Sequence, residues 1–238
     1  MVLVVESVQV VLFLHTQSPA SALDHFQTGF GNSPTAFQTS SPEQSQASVS
    51  WDMADLTLFT QPGRVDFLVQ PRGAIAGPLG HGAFRVQEAL NSIFSAISKI
   101  APSLSVGRTA TVAQGHVPAA DADDALAKVR EMVPGLPMKP DASDLTFQIT
   151  QRKPSAIAPH RMVKRMVRWE TAQLQYLEMQ IGAPVAPRVI TQGHMAHKYV
   201  DVFSENMEPL SSEQVHESVS EITELARALL IGSFDDIN

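Results

Sequence analysis

Two histidines three residues apart, His194 and His197, are the first residues whose type and spacing could do chemistry. On one face of a helix, such a pair could bind a metal ion through its imidazole nitrogens. Here the pair follows Gly193 and enters a strand-like segment, where positions i and i+3 point to opposite sides. No third ligand is adjacent, although Asp201 falls on the same strand face as His197. We therefore expect an ordinary surface pair, with no metal and no other cofactor.

A glycine-rich loop, Gly77–Gly82, leads into a helical pattern that begins near residue 84. Backbone N–H groups at a helix N-terminus can bind an anion. The loop has neither the P-loop spacing nor the dinucleotide-binding pattern, and it lacks the Lys-Ser/Thr pair that would hold phosphate and magnesium. We interpret it as a connecting loop, while a small ligand near it stays an open alternative.

One segment concentrates basic side chains around a tryptophan. Its members are Arg161, Lys164, Arg165, Arg168 and Trp169. Cations interleaved with an aromatic ring can neutralise phosphates and stack a base, so this basic strip is a candidate for nucleic-acid or anion binding. On a strand, however, Lys164 and Arg168 lie on the face opposite to the other three. The divided charge favours a salt-bridged strip or a protein interface.

The motifs of hydrolytic enzymes are missing from the sequence. It contains no nucleophile elbow, no HExxH and no paired acids on a helical face. Asp121, Asp123 and Asp124 lack the glycine and terminal glutamate of a calcium loop, and the first turn of a helix explains them. The sequence therefore leans against an enzyme. An unrecognised site near Gly77–Gly82 and His194–His197 is the remaining catalytic alternative.

A predicted series of strands and helices positions these residues in the first hundred positions. The elements are a strand at Val2–Leu14, a helix from Ser18-Pro19 to about Gly29, a loop over 31–46, a strand at Val49–Phe59 with a bulge or tight turn near Asp52–Asp55, a type II turn at Gln61–Arg64 into the alternating Val65, Phe67 and Val69, and a helix over 84–100.

A similar series is predicted again in the second part of the chain. The elements are a strand near Val106–Gln114, a helix at Ala120–Met132, a strand through Leu145, Phe147 and Ile149, a long segment at Arg161–Ile181, a short strand at Tyr199–Phe203 and a helix from Ser211. Arg161–Ile181 fits helical and strand spacing in part, and we favour a long strand that pairs with 144–152. Ser211 with Gln214 forms a capping box.

The two series together predict an α+β protein with an antiparallel sheet and helices on one face. We expect two tandem β-α-β-β-α halves, 1–102 and 103–238, fused into one sheet, with an optional third strand in the second half. The uncovered face of the sheet is where we expect a partner or a second copy.

Composition and charge also favour a partner. Charged residues make up only 17% of the chain, below the ~25% of typical domains, which indicates a surface that another protein covers. Residues 151–200 carry eight Lys/Arg and two acids, whereas residues 201–238 carry one Arg and nine acids. We expect these segments to be neighbours that partly neutralise each other.

The absence of cysteine excludes disulfides and thiolate chemistry. The apolar N-terminus lacks the positive region of a signal peptide, and Glu6 interrupts it. No window approaches the ~20 apolar residues that span a bilayer. We therefore expect a cytoplasmic protein without membrane contact.

Two stretches, residues 61–66 (QPGRVD) and the segment containing RMVKRMVRW after 144–151, resemble a diffuse group of uncharacterised bacterial proteins. The resemblance implies a bacterial or phage origin and an intracellular location, and it carries no activity. Our leading hypothesis is a non-catalytic protein-interaction module, either a subunit of a larger complex or a self-associating scaffold. A nucleic-acid-binding protein that uses the basic strip is the second hypothesis, and an enzyme with an unrecognised site is the third.

Overall fold

The structure is a computed structural model of the chain. It describes residues 3–15, 20–51, 54–71, 86–136, 144–178, 188–205 and 208–232. This part of the chain forms an antiparallel sheet of nine strands together with four α-helices, so the protein is of the mixed α+β class.

The described elements include a 3-10 turn at Ala101–Ser103. In chain order they are β1 (Val4–Leu14), α1 (Ala22–Phe30), β2 (Ala36–Ser41), β3 (Gln44–Ser50), β4 (Ala54–Gln61), β5 (Arg64–Pro71), α2 (Val86–Ile100), β6 (Val106–Ala119), α3 (Ala122–Met132), β7 (Thr146–Pro154), β8 (Met162–Glu178), β9 (Arg188–Ser204) and α4 (Ser212–Ile231).

The sheet has the order β2-β3-β4-β5-β1-β6-β9-β8-β7, and every neighbouring pair is antiparallel. The first strand of the chain, β1, lies near its middle, between β5 and β6. Strands from both sides of the expected boundary at residue 102 therefore share one sheet. A division of the chain into two halves at that position stays a prediction.

Every second side chain along the strands packs against apolar helix residues, and together they form the hydrophobic core. Its members include Val8, Val10 and Leu12 of β1, Val65, Phe67 and Val69 of β5, Phe26 of α1, Leu90, Ile93 and Ile97 of α2, Val129 of α3 and Val219 and Ile222 of α4. Because each fully buried Val, Leu, Ile or Phe contributes about 1.5–3 kcal/mol, this cluster is the main stabilising feature of the fold.

The last helix begins and ends at well-defined hydrogen bonds. The Gln214 N–H donates to Ser211 Oγ at 3.3 Å, and the Ser211 N–H donates to Gln214 Oε1 at 3.0 Å, which completes the predicted capping box. At the other end, the buried Lys198 Nζ donates to the Gly232 carbonyl at 2.8 Å. A cation at this end is favoured by the helix dipole.

None of the described helices is long and apolar enough to cross a membrane.

Two hydroxyl pairs fasten the same helix to the sheet. Thr109 Oγ1 lies 2.7 Å from Ser218 Oγ, and Thr111 Oγ1 lies 2.9 Å from Thr223 Oγ1. The second pair lines an apolar cavity of about 220 Å³ between α4 and the sheet. Each hydroxyl is buried, and so each depends on its partner to avoid the free-energy penalty of an unpaired polar group.

Several predictions for the first half are wrong. Residues 31–46 do not form a loop, because β2 and the beginning of β3 lie there as a hairpin. Five of the six residues of β2 are exposed, and an edge strand of this kind shows no apolar periodicity. The first helix begins at Ala22 with Ser21 as its N-cap, whereas the predicted start at Ser18-Pro19 lies outside the described residues. The described residues between α1 and α2 form four strands, whereas the sequence predicted two.

Other predictions are confirmed or extended. Gly63 has a φ of 70°, as the predicted type II turn requires. The long segment is a strand. β8 pairs antiparallel with β7, with Glu170 opposite Thr146 at one end and Met162 opposite Pro154 at the other. The strand expected at Tyr199–Phe203 is only the last part of the longer β9. The earlier part of β9 contains polar residues and a glycine, so the sequence shows no alternation of apolar residues there.

Candidate functional site

The strand side chains that alternate with the core residues form a second surface, which we call the polar face. Its members used below are Glu6, Gln9, Phe13, Asp55, Arg64, Asp66, Arg108, Arg152, Lys164, Arg168, Glu170, His116, His197, Tyr199, Asp201 and Phe203. Small residues at the centre, such as Val11 and Ala110, are only 1% and 4% exposed. Longer neighbouring side chains therefore lie over the centre of the sheet and cover these residues.

Cations and aromatic rings alternate across one end of this face. Arg64 and Arg108 lie over the Phe13 ring, with their guanidinium carbons 5.5 and 4.2 Å from its centroid. Arg108 also lies 4.6 Å from the centroid of Phe203, and Lys164 Nζ lies 5.6 Å from that same centroid. We call these five residues the cation–aromatic row. It crosses five adjacent strands, from β5 to β8.

The register of the sheet explains this row. Phe13 is directly opposite Arg64 on one side and Arg108 on the other, and Phe203 is directly opposite Lys164. Opposed side chains on one face of an antiparallel sheet have β-carbons about 5 Å apart, which lets a long cation lie across a ring. Each such contact stabilises by about 0.5–1 kcal/mol and more where water is excluded. The row is therefore ordered by its own contacts.

Two carboxylates lie beside the row. Asp66 is 4% exposed and accepts a hydrogen bond from Arg64 Nε at 2.6 Å. Burial raises the pKa of Asp66, against the opposing effects of Arg64 and of a hydrogen bond from Gln9. Burial also raises the pKa of Asp201, against the charges of Arg108, Lys164 and Arg64. The positive charge of the cation–aromatic row therefore lowers the pKa of each acid in part, and burial outweighs this effect.

A chain of acids and histidines crosses the face at the other end of the strands. The Glu6 carboxylate lies at a bulge of β1 and reaches two histidines, with His116 Nδ1 at 2.6 Å and His197 Nε2 at 3.3 Å. His197 Nδ1 in turn lies 3.1 Å from Glu170 Oε1. His116 and His197 are directly opposite each other in the sheet, as are His197 and Glu170. We call these four residues the Glu–His chain.

The electrostatics of the Glu–His chain favour the charged forms of Glu6 and His197. Burial alone would raise the pKa of Glu6, but hydrogen bonds and charge from His116 and His197 outweigh it and lower that pKa to about 2. Burial likewise disfavours the charged imidazole of His197, and yet Glu6 and then Glu170 raise its pKa above the usual 6.5. A protonated His197 can donate from both ring nitrogens to carboxylates, which explains the direction of the shift.

Positive and negative groups balance on the polar face. Among the described residues, five Lys/Arg side chains (Arg64, Arg108, Arg152, Lys164, Arg168) face six carboxylates (Glu6, Asp55, Asp66, Glu170, Asp201 and, at the rim, Glu205). Three ion pairs are direct. Arg64 Nε lies 2.6 Å from Asp66, Arg152 Nη2 lies 2.5 Å from Glu205, and Arg168 Nε lies 3.3 Å from Glu170. The surface is thus rich in charge and close to neutral.

The predicted basic strip is divided by the sheet. Lys164 and Arg168 lie on the polar face, where Arg168 also covers the Tyr199 ring at 4.9 Å from its centroid. Arg165 lies on the opposite side of β8, and Arg161 lies in the turn between β7 and β8, where its carbonyl accepts the Ser155 N–H at 2.8 Å.

Trp169 does not fit the stacking role that the sequence suggested. It is fully buried, on the core side of β8, and its ring lies 5.9 Å from that of Phe147 in a stacked arrangement. A buried ring offers no face to a nucleic-acid base. Binding of nucleic acid by the cations of the strip stays a prediction.

The two predicted histidines are separated as strand geometry requires. His194 is opposite Ala119, whereas His197 is opposite His116 and belongs to the Glu–His chain. Within the described ranges, no group of three or more His, Cys, Asp or Glu residues could hold a metal ion. The glycine-rich loop Gly77–Gly82 lies outside the described residues.

Most residues of the polar face could not be found from the sequence. Phe13, Arg64, Arg108 and Phe203 come from four distant segments, and each is an ordinary residue within an alternating strand. Glu6 was recognisable as unusual, because it is the only charged residue in a mostly apolar strand. No protein-family model matches the chain, and no curated protein matches it.

Proposed function

We propose that the protein is a non-catalytic interaction module in which the helices cover the core side of the sheet and the polar face docks a protein. The docked protein is another subunit of a complex or a second copy of the chain. One observation carries this proposal: charged and aromatic side chains across five adjacent strands are already held in fixed positions by contacts with one another. Such preorganisation lowers the entropy lost on binding.

The charge of the face favours a protein over a polyanion. Among the described residues of this face, five Lys/Arg side chains are accompanied by six carboxylates, and the whole chain has a net charge of −7. Nucleic-acid binding depends on an excess of cations that replace counterions on phosphates. Protein interfaces instead combine aromatic residues and arginine with complementary charges of both signs.

The Glu–His chain is suited to holding the face together. Both ring nitrogens of His197 are engaged by carboxylates, at 3.3 and 3.1 Å. A histidine that acts as a general acid or base needs one nitrogen directed at the substrate. This arrangement therefore supports an ordering role for His197, which links β1, β9 and β8.

A matched pair of charge reversals tests the proposal. Arg168 on the polar face is paired with Glu170, and Arg227 on α4 is paired with Glu224 in the same way, with 35% and 47% of the two arginine side chains exposed. Light scattering would measure the mass of the tagged protein isolated from the organism that encodes it. We expect a mass above 25.8 kDa for wild type and Arg227→Glu, and a clear decrease in Arg168→Glu.

Circular dichroism would confirm that both variants fold, so that a change in mass reports a change in binding. The proposal would be overturned by a wild-type protein that is monomeric and without a partner in native extracts. It would also be overturned if Arg227→Glu, and not Arg168→Glu, released the partner.

The cation–aromatic row gives specific support to a second candidate, a nucleic-acid-binding protein, because it alternates guanidinium groups and rings across the sheet. Open sheet faces that carry aromatic residues are one way to bind single-stranded RNA. This candidate predicts salt-dependent retardation of a labelled oligonucleotide that disappears in Arg108→Glu/Lys164→Glu. An absence of retardation at low salt would remove it.

A further inference from the structure

Resting on the proposed function, we infer that Arg108 and Lys164 recognise a carboxylate of the docked protein, namely one Asp or Glu side chain in an otherwise neutral segment. This inference names the chemistry of the partner and the residues that select it. It follows from the position of Arg108 in the cation–aromatic row and from the charges around it.

Arg108 is held between two aromatic rings. The Phe13 and Phe203 rings lie 4.2 and 4.6 Å from its central carbon, and its Nε is buried without a hydrogen-bond partner. A guanidinium group offers its N–H donors in the plane of the group, where they match the two oxygens of a carboxylate. Two flanking rings fix that plane before any ligand arrives.

The cations of the polar face that have no direct carboxylate partner lie together here. Arg64, Arg152 and Arg168 each have a carboxylate within 4.0 Å, whereas Arg108 and Lys164 have none among the described residues. Asp201 lies near enough for its pKa to be affected by both cations, and it offsets one of their two charges. One positive charge remains between Arg108 and Lys164 beside Phe203, and a single carboxylate complements it.

A carboxylate is favoured over the phosphates of a nucleic acid at this position. The local excess is one charge, and the Asp66 and Asp201 carboxylates flank it. A run of phosphates would place further negative charges beside these acids, at a cost in free energy. An acidic side chain within an otherwise neutral protein segment brings one charge only.

Three fluorescein-labelled probes test the inference by fluorescence anisotropy at low salt. They are a twelve-residue Gly/Ser peptide with a single central Glu, the same peptide with Gln in place of Glu, and a twelve-nucleotide oligothymidine. We expect the Glu peptide to bind wild type with an affinity that falls as salt is added, and the Gln peptide to bind at least tenfold more weakly, as the loss of charge-assisted hydrogen bonds predicts.

Three variants separate recognition by Arg108 from the general charge of the protein. Arg108→Gln should weaken the Glu peptide about tenfold or more, and Arg108→Lys should lose most of the same affinity, because lysine keeps the charge without the planar fork. Arg227→Gln, which removes an equal charge from α4, should bind within about twofold of wild type.

Each other outcome contradicts the inference in a recognisable way. Equal binding of the Glu peptide by wild type and Arg108→Gln would overturn it, as would tighter binding of oligothymidine than of the Glu peptide. If no probe binds, the acidic-partner inference fails, while the mass comparison of Arg168→Glu and Arg227→Glu still decides the proposed function separately.

Discussion

Replacement of Glu6 by Gln should destabilise the fold in a way that depends on pH. Glutamine keeps the size of the side chain and removes the charge that holds His116 and His197 at 2.6 and 3.3 Å. The Glu6 side chain is 29% exposed, which limits screening by water. A folded-state pKa of about 2 against the usual 4.5 corresponds to about 3 kcal/mol of stability at pH 6.

The sign of the pH dependence follows from the lowered pKa. A carboxyl group whose pKa is lowered by folding stabilises the native state above its unfolded value, and this contribution is lost as the pH falls through the folded value. The difference between wild type and Glu6→Gln should therefore be about 3 kcal/mol at pH 6, about 1 kcal/mol at pH 3 and close to zero below pH 2. Part of this energy is shared with His197, because the same hydrogen bonds shift both groups.

Urea unfolding, followed by tryptophan fluorescence to which the buried Trp169 and the partly buried Trp51 contribute, measures the free energy of unfolding at each pH. Glu131→Gln is the control, because Glu131 is exposed on α3 and makes no described ion pair; it should change stability by less than about 0.5 kcal/mol. A loss in Glu6→Gln that is equally small at pH 6, or one that does not vary with pH, would refute the reasoning.

Further predictions concern other parts of the fold. Wild-type stability should fall as the pH rises from 6.5 through the folded-state pKa of His197, because a raised histidine pKa stabilises the protonated native state; urea unfolding of wild type and His197→Gln would show the difference in slope. Ser211→Ala should cost about 1 kcal/mol through loss of the helix cap, measured by thermal unfolding. Thr111→Val and Thr223→Val should each cost about 1–3 kcal/mol by leaving one buried hydroxyl unpaired, whereas the double variant should cost less than their sum in a double-mutant cycle.

The elements that sequence reasoning found are those in which local and tertiary forces agree. Val65, Phe67 and Val69 alternate because one face of β5 enters the core, and Ser211 and Gln214 form a local capping box that requires no distant partner. The β2–β3 hairpin was not predicted, because its residues are polar on both sides at the edge of the sheet. No periodic apolar signal exists in such a strand, and Ser, Gln and Thr are also common in loops.

The polar face could be predicted only in part, since it is a property of strand order. From the sequence, Lys164 and Arg168 were expected to share a face of a strand, and they do. That Phe13 lies between Arg64 and Arg108, however, depends on β1 pairing with both β5 and β6. A single sequence does not specify which distant strands are neighbours, and so neither the cation–aromatic row nor the Glu–His chain could be read from it.

The most direct test of the polar face as a docking surface is site-specific photo-crosslinking in cells of the organism that encodes the protein. A benzophenone amino acid would replace either Tyr199, on the polar face beside Arg168, or the exposed Glu131 of α3. We predict a discrete crosslinked product from Tyr199 that protease degrades and nuclease does not, and no such product from Glu131. A product from Glu131 alone, or a nuclease-sensitive product from Tyr199, would contradict the account.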